Sequence, residues 1–181
     1  YTEKNLSVQY VPNFCDYYAP YSESKSIADH IDGWAALTDI LTIWEYSTNF
    51  DNYFDCFHNF NSMAENIRLF ESYGVDYIVE QSAYSTPTSE FSELRLYLWS
   101  KLMWDSSLDT DTLIADFMQH YYKDAAEEVM AYFNAIYGHV DELVETYGIT
   151  VRSGGNECMN KSYWTYTTLS SIEDCIEEAF T

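Results

Sequence analysis

The sequence predicts an α/β fold, with about three parallel strands interleaved with helices and then a mostly helical extension. Three observations predict it. Three short runs rich in β-branched and aromatic residues (6–11, 40–46 and 75–80) each lead into a polar, aromatic loop that has no helical period. Helix-to-strand links are short and strand-to-helix loops are long, which favours parallel pairing with function at the C-terminal side of the strands. After Glu80 no further strand pattern recurs, and helical spacing takes over.

Residues 6–11 read as the first strand, closed by Pro12. A loop rich in Tyr, Ser and Pro fills 13–26. Ile27, Ile31, Trp34 and Leu37 then recur at helical spacing. The second strand, 40–46, is Ile-Leu-Thr-Ile-Trp-Glu-Tyr, and an aromatic loop runs from it to about His58. Ser62-Met63-Ala64-Glu65 has the form of a capping box. Ile67, Phe70 and Tyr73 mark one face of the helix it opens, and Gly74 is a natural stop.

The third strand, 75–80, ends on Glu80 and Gln81. Beyond it, Phe91, Leu94, Leu98, Leu102 and Met103 share a helical face, and Trp99 and Trp104 read as core of the same helix. Asp109 to Asp111 offers a cap for the next helix. A long helix from Val129 to Tyr147 stops at Gly148. Residues 148–168 read as irregular, with a flexible point at Gly154-Gly155, and Ser170-Ser171-Ile172-Glu173 is expected to cap a last short helix. The organisation is therefore 1–88 as β/α units and 89–181 as a mostly helical extension packed on the same domain.

The 181 residues are enough for one domain with a real core, and 47% of them are hydrophobic. Thirty acidic residues against 8 basic ones give a net charge of −22. That balance disfavours nucleic acid and anionic membranes as partners, since both need clustered Lys and Arg. No apolar run is long enough to span a bilayer, so membrane insertion is not expected. The chain begins at Tyr1, and we expect it to be a piece of a longer polypeptide whose missing N-terminal part is its partner. Cys15, Cys56, Cys158 and Cys175 form no CxxC pair. Cys15 and Cys56 both follow strand ends, so either a disulfide between them or free buried thiols fits.

Aromatic residues make up 18% of the chain, with 18 Tyr among them. Rings that stack on flat apolar faces while hydrogen-bonding hydroxyls suit sugars. Trp44, Tyr46, Tyr53 and Tyr84 are the candidate sugar platforms, and Tyr10 and Gln81 the candidate hydrogen-bonding partners. Glu45 and Glu80 end neighbouring strands on one side of the sheet, where a two-carboxylate hydrolysis of a glycosidic bond could be built. Glu80, between Val79 and Gln81, suits the general acid, and Glu45 the nucleophile or base. Alternation along a strand allows either Glu45 or the Trp44/Tyr46 pair to face the ligand side, but not both. His30 with Asp29 and Asp32, and His58 with Asp55, show no metal-ligand spacing, and no phosphate loop or GxSxG elbow is present. No metal and no cofactor are expected.

The spaced motifs Trp44-Glu45-Tyr46…Asn49-Phe50…Tyr53, Asn66-Ile67-Arg68…Phe70…Gly74-Val75…Glu80-Gln81, Glu90-Phe91…Leu94-Arg95…Tyr97-Leu98…Lys101-Leu102-Met103-Trp104-Asp105 and Asp116-Phe117…Tyr121-Tyr122…Ala125-Ala126 together resemble the bacterial domain of unknown function 4838 over roughly residues 5–135. The resemblance implies the C-terminal part of a glycoside-hydrolase-like TIM barrel related to α-glucuronidases, carried in large secreted or cell-surface proteins. The family pattern usually has Asp where this chain has Glu45, which lengthens that arm by one methylene, and Gly where it has Lys123, in a region read as helical.

The function expected from these readings is a carbohydrate-active domain, a glycoside hydrolase fragment acting on an oligosaccharide or polysaccharide and inactive in isolation. The alternative is a non-catalytic carbohydrate-binding or structural module of a large surface protein.

Overall fold

The computed structural model describes residues 6–13, 15–177 and 179. Three strands, β1 (Ser7–Tyr10), β2 (Ile40–Tyr46) and β3 (Tyr77–Gln81), pair in parallel in the order β1–β2–β3. Asp76 locks the start of the β2–β3 pair. Its Oδ2 accepts the Leu41 N–H at 3.0 Å, and its own N–H donates to the Leu41 carbonyl at 2.8 Å. Thr38 does the same for β1, donating its hydroxyl to the Leu6 carbonyl at 2.6 Å. Register then runs Thr42 opposite Tyr77, through Glu45 opposite Glu80, to Tyr46 opposite Gln81.

Helices α1 (Lys25–Ala35), α2 (Met63–Ser72), α3 (Ser92–Trp104), α4 (Thr110–Tyr121), α5 (Ala126–Tyr147) and α6 (Tyr166–Glu177) complete the chain. One sheet face, carrying Leu41, Ile43, Glu45 and Ile78, is covered. The other, carrying Ile40, Thr42, Trp44, Tyr77 and Val79, is open, and Tyr77 and Val79 are largely exposed on it. The near-continuous apolar run of β2 would suit a strand buried on both faces, yet its burial alternates.

The core is one cluster that runs from Tyr21, Ile31 and Ile43 through Leu94, Leu98 and Leu102 to Val140 and Val151. Three of the four α3 leucines, Leu94, Leu98 and Leu102, are wholly buried, and each contributes about 1.5–3 kcal/mol. Arg95 is buried among them. It donates to Asn59 Oδ1 at 3.0 Å, to the Phe57 and Glu90 carbonyls, and to Glu90 Oε2 at 2.6 Å, and its guanidinium lies 4.7 Å from the Phe60 ring centre.

Several local expectations change. Helix α2 starts where expected, but Ser62 does not cap it. The Ser62 hydroxyl is spent on the Tyr17 carbonyl at 2.6 Å, holding the 15–21 loop against the helix. Trp104 is not core but 92% exposed, because α3 is apolar on most sides and its spacing does not single out one face. The last helix begins at Tyr166, a turn earlier than expected. The Thr165 hydroxyl accepts the Thr168 N–H at 3.2 Å there, and Ser171 turns its hydroxyl back to the Thr168 carbonyl.

Lys123 is not helical in conformation. Its φ of 55° breaks the chain between α4 and a short 3-10 turn, and Gly suits that position best. Cys15, Cys56, Cys158 and Cys175 are all free thiols. Cys15 donates to the Pro12 carbonyl, and the cysteine near Cys56 is Cys158, whose thiol donates to the Cys56 carbonyl.

Candidate functional site

The strand ends divide the sequence-chosen residues between the two faces of the sheet. On the open side lie Trp44, Tyr46 and Gln81. The Trp44 indole N–H donates to Gln81 Oε1 at 3.0 Å, which fixes the Gln81 amide. Tyr46 meets Phe50 edge-on at 5.2 Å between ring centres. Phe50 in turn meets Tyr53 at 6.0 Å and Tyr84 at 6.3 Å, and Tyr53 and Tyr84 are 6.2 Å apart. Tyr46, Phe50 and Tyr84 line a cleft of about 500 Å³, within the ~300–1,000 Å³ of ordinary ligand pockets, whereas Tyr53 and Trp44 are not among its lining residues. Tyr84 is 78% exposed, held for contact with solvent or ligand and not for the core.

The opposite wall of the cleft comes from a segment that sequence reasoning left as irregular. Arg152, Ser153 and Gly154 line it together with Asp51 and Asn13. Hydrogen bonds hold the segment in place. Phe50 N–H donates to the Ser153 carbonyl at 2.7 Å, Gly155 N–H to Asp51 Oδ2 at 2.6 Å, and Tyr17 N–H to the Val151 carbonyl at 2.9 Å. Gly155, at φ 67°, supplies the turn that aims its N–H at Asp51. The signal that could have found this wall is a lone basic residue, Arg152, beside a Gly-Gly pair in a strongly acidic chain.

Glu45 and Glu80 are brought together on the covered side. They are register partners, so their Cα atoms stand about 4.8 Å apart and their side chains project the same way. Glu45 is buried and Glu80 half-buried. Among the described residues neither Glu45 Oε2 nor Glu80 Oε1 meets another donor, and the two groups hydrogen-bond each other through a shared proton. Burial raises the Glu45 carboxyl, partly offset by hydrogen bonds from Glu80 and Tyr21. Burial and then the Glu45 charge push Glu80 well above the ordinary range, despite the Ser47 hydroxyl that donates to its Oε2 at 2.8 Å. Ser47 is itself held by the Trp99 indole N–H at 3.1 Å.

The narrow cavity beside Glu80, about 200 Å³, is lined by Ser47, Ser82, Arg95 and Trp99. Tyr10 is placed apart from both groups. It lies opposite Ile43 on the covered side, with its hydroxyl 3.2 Å from His30 Nδ1.

His30 bonds Tyr10, and His58 pairs with Asp141 rather than Asp55. Among the described residues no group of three or more His, Cys, Asp or Glu is arranged to hold a metal ion. No helix of the described residues is long and apolar enough to cross a membrane.

A family model described as domain of unknown function DUF4838 matches residues 1–134. No curated protein and no solved structure matches the chain.

Proposed function

The chain belongs to the DUF4838 family, and on that premise we propose that it is a carbohydrate-binding module that takes a saccharide into the strand-end cleft. The observation that carries this reading is the lining of Tyr46, Phe50 and Tyr84, with Tyr53 packed against the last two, along a cleft that Gln81, Asp51 and Arg152 also line. Rings give flat faces for the C–H side of a pyranose, and the polar edges give donors and acceptors for its hydroxyls. The open sheet face, with Tyr77 and Val79 uncovered, is completed in this reading by further strands of the same polypeptide, as in a TIM-like barrel.

The Glu45–Glu80 pair acts as a structural acid pair that ties the ends of β2 and β3. One observation favours a second reading, in which the pair is a hydrolase's acid and base. Burial and the Glu45 charge raise the Glu80 carboxyl well above the ordinary range, the direction a general acid requires.

Titration calorimetry against a panel of neutral and acidic oligosaccharides tests the first reading. A bound glycan whose affinity falls about tenfold in Tyr84→Ala supports it, in line with the worth of one aromatic platform. No glycan binding, or binding that Tyr84→Ala leaves untouched, overturns it. Turnover of an aryl glycoside that disappears in Glu80→Gln would establish the second reading instead.

A further inference from the structure

Both walls of the strand-end cleft lead to a buried thiol. One wall is the loop after β2, which carries Phe50 and Asp51 and continues to Cys56. The other is the strap after α5, which carries Arg152, Ser153 and Gly154 and ends in a 3-10 turn, Glu157–Met159, that holds Cys158. The end of the strap folds onto the backbone of Cys56. The Asn156 side-chain amide donates to the Cys56 carbonyl at 2.8 Å, and the Cys158 thiol donates to the same carbonyl at 3.4 Å. Cys56 and Cys158 lie in one core cluster, and a charge on Cys158 is near enough to raise the Cys56 thiol.

The other two cysteines are occupied elsewhere. Cys15 donates to the Pro12 carbonyl, and Cys175 donates to the Ser171 carbonyl within α6. The Cys158 thiol is held only by the Cys56 carbonyl and by Asn156 Oδ1 at 3.2 Å, and a thiol is a weak donor, so a covalent bond in their place gives up little.

We propose that Cys56 and Cys158 are a disulfide pair, closed by exchange with a small disulfide of the glutathione class, that staples the strap to the loop after β2. One protein thiolate attacks the glutathione disulfide, forms a mixed disulfide and releases one glutathione thiolate. The second protein thiolate then attacks the protein sulfur of that mixed disulfide and releases the other. Two protein thiols are oxidised, one glutathione disulfide is reduced to two thiols, and the two protons pass to the released glutathione. Burial, with the nearby Asp55 and Glu90 carboxylates, holds both docked thiols far from the thiolate form. Closure therefore belongs to the folding chain, where the thiols titrate near their ordinary value of about 8.5 and the strap brings them together as it docks. The cross-link spans a sequence separation of 102 residues, long enough to restrict the unfolded chain strongly. Its bearing on ligand binding, through two cleft walls fixed to each other, rests on the saccharide reading, whereas the bond itself does not.

The test is refolding of the full chain from urea at about pH 8, once in a glutathione redox buffer and once in dithiothreitol. Intact mass and a non-reducing peptide map read the bond, and thermal melts read its effect. In the glutathione buffer the chain should become two hydrogens lighter, yield a Cys56–Cys158 linked peptide and melt roughly 5–10 °C above the reduced form. Cys158→Ser should form no internal bond and melt alike in both buffers. The peptide map of the parent decides the pairing even where that variant folds poorly. An unchanged mass, a glutathione adduct that does not close, a bond joining any other pair, or a Cys56–Cys158 bond that lowers the melting temperature would each overturn the proposal. None of these readouts needs a glycan, so the staple and the saccharide reading fail separately.

Discussion

Glu45 and Glu80 occupy partner positions on adjacent parallel strands and hydrogen-bond each other through one proton, with no Lys or Arg among the described residues bonded to either. The folded state holds that proton at pH values where the unfolded chain has released it, near about 4.3. The stability that the pair contributes is therefore full in acid and declines as pH climbs through the raised folded values. Glu80→Gln replaces the shared proton with a permanent N–H donor. It should leave stability near that of the parent at about pH 5 and exceed it by roughly 1–3 kcal/mol at about pH 8. Urea denaturation at the two pH values checks this, and equal slopes with pH in the two proteins would refute the shared proton.

Arg95 should be intolerant of substitution in either direction. Arg95→Leu leaves Glu90 buried without its cation and strips the Phe57 carbonyl of its donor, a loss of about 3–5 kcal/mol. Arg95→Lys cannot bridge Asn59, Phe57 and Glu90 together and should recover less than half of that. Chemical denaturation followed by circular dichroism measures both.

Backbone strain predicts two opposite effects. Lys123 stands at φ 55°, so Lys123→Gly should stabilise the protein by about 1 kcal/mol. Gly148 ends α5 at φ 62° with open space where a Cβ would sit, so Gly148→Ala meets no clash and should cost about 1 kcal/mol from conformation alone. Thermal melts of the two single variants and of their combination give the signs, and the effects should add.

Exposed rings should separate function from folding. Tyr84 and Trp104 are 78% and 92% exposed, so Tyr84→Ala and Trp104→Ser should each change stability by less than about 0.5 kcal/mol. Only Tyr84→Ala should alter glycan binding. A melting temperature lowered as much as by Arg95→Leu would show that the ring is packed in solution.

The thiols should react unequally. Burial pushes Cys15 up to about 11 and Cys158 up to about 12, and raises Cys56 further still. As the thiolate is the reactive form, alkylation of the native protein at about pH 8 should mark Cys175, the least buried of the four, well before the others. Mass spectrometry of timed samples reads the order directly.

The strands were legible because β2 is bounded by clear signals: a polar turn at Thr38-Asp39 and an aromatic loop after Tyr46. Its limits, Ile40–Tyr46, are those the sequence suggests, and the pairing of Glu45 with Glu80 follows from parallel register. Which face of β2 meets the helices was not legible, since Trp44, Tyr46 and the leucine and isoleucines of the same strand are all apolar enough to be covered. Only the packing of α1 to α3 decides that Glu45 goes in and Trp44 out. The His58–Asp141 pair and the Arg152 wall join residues far apart in sequence, and neither leaves a local pattern. Lys123 shows the reverse case. The Gly usual at that place in the family pattern marks a backbone requirement that helical spacing conceals.

The cleft is made by two parts of the chain with different standing. Tyr46, Phe50, Gln81 and Tyr84 fall within the stretch that matches the family model, whereas Arg152, Ser153 and Gly154 lie beyond it and reach the strand ends through the Ser153 and Gly155 backbone bonds. Val151 of that same strap is buried in the core, so the segment that walls the cleft also seals the fold, and a change that unseats it disturbs both at once.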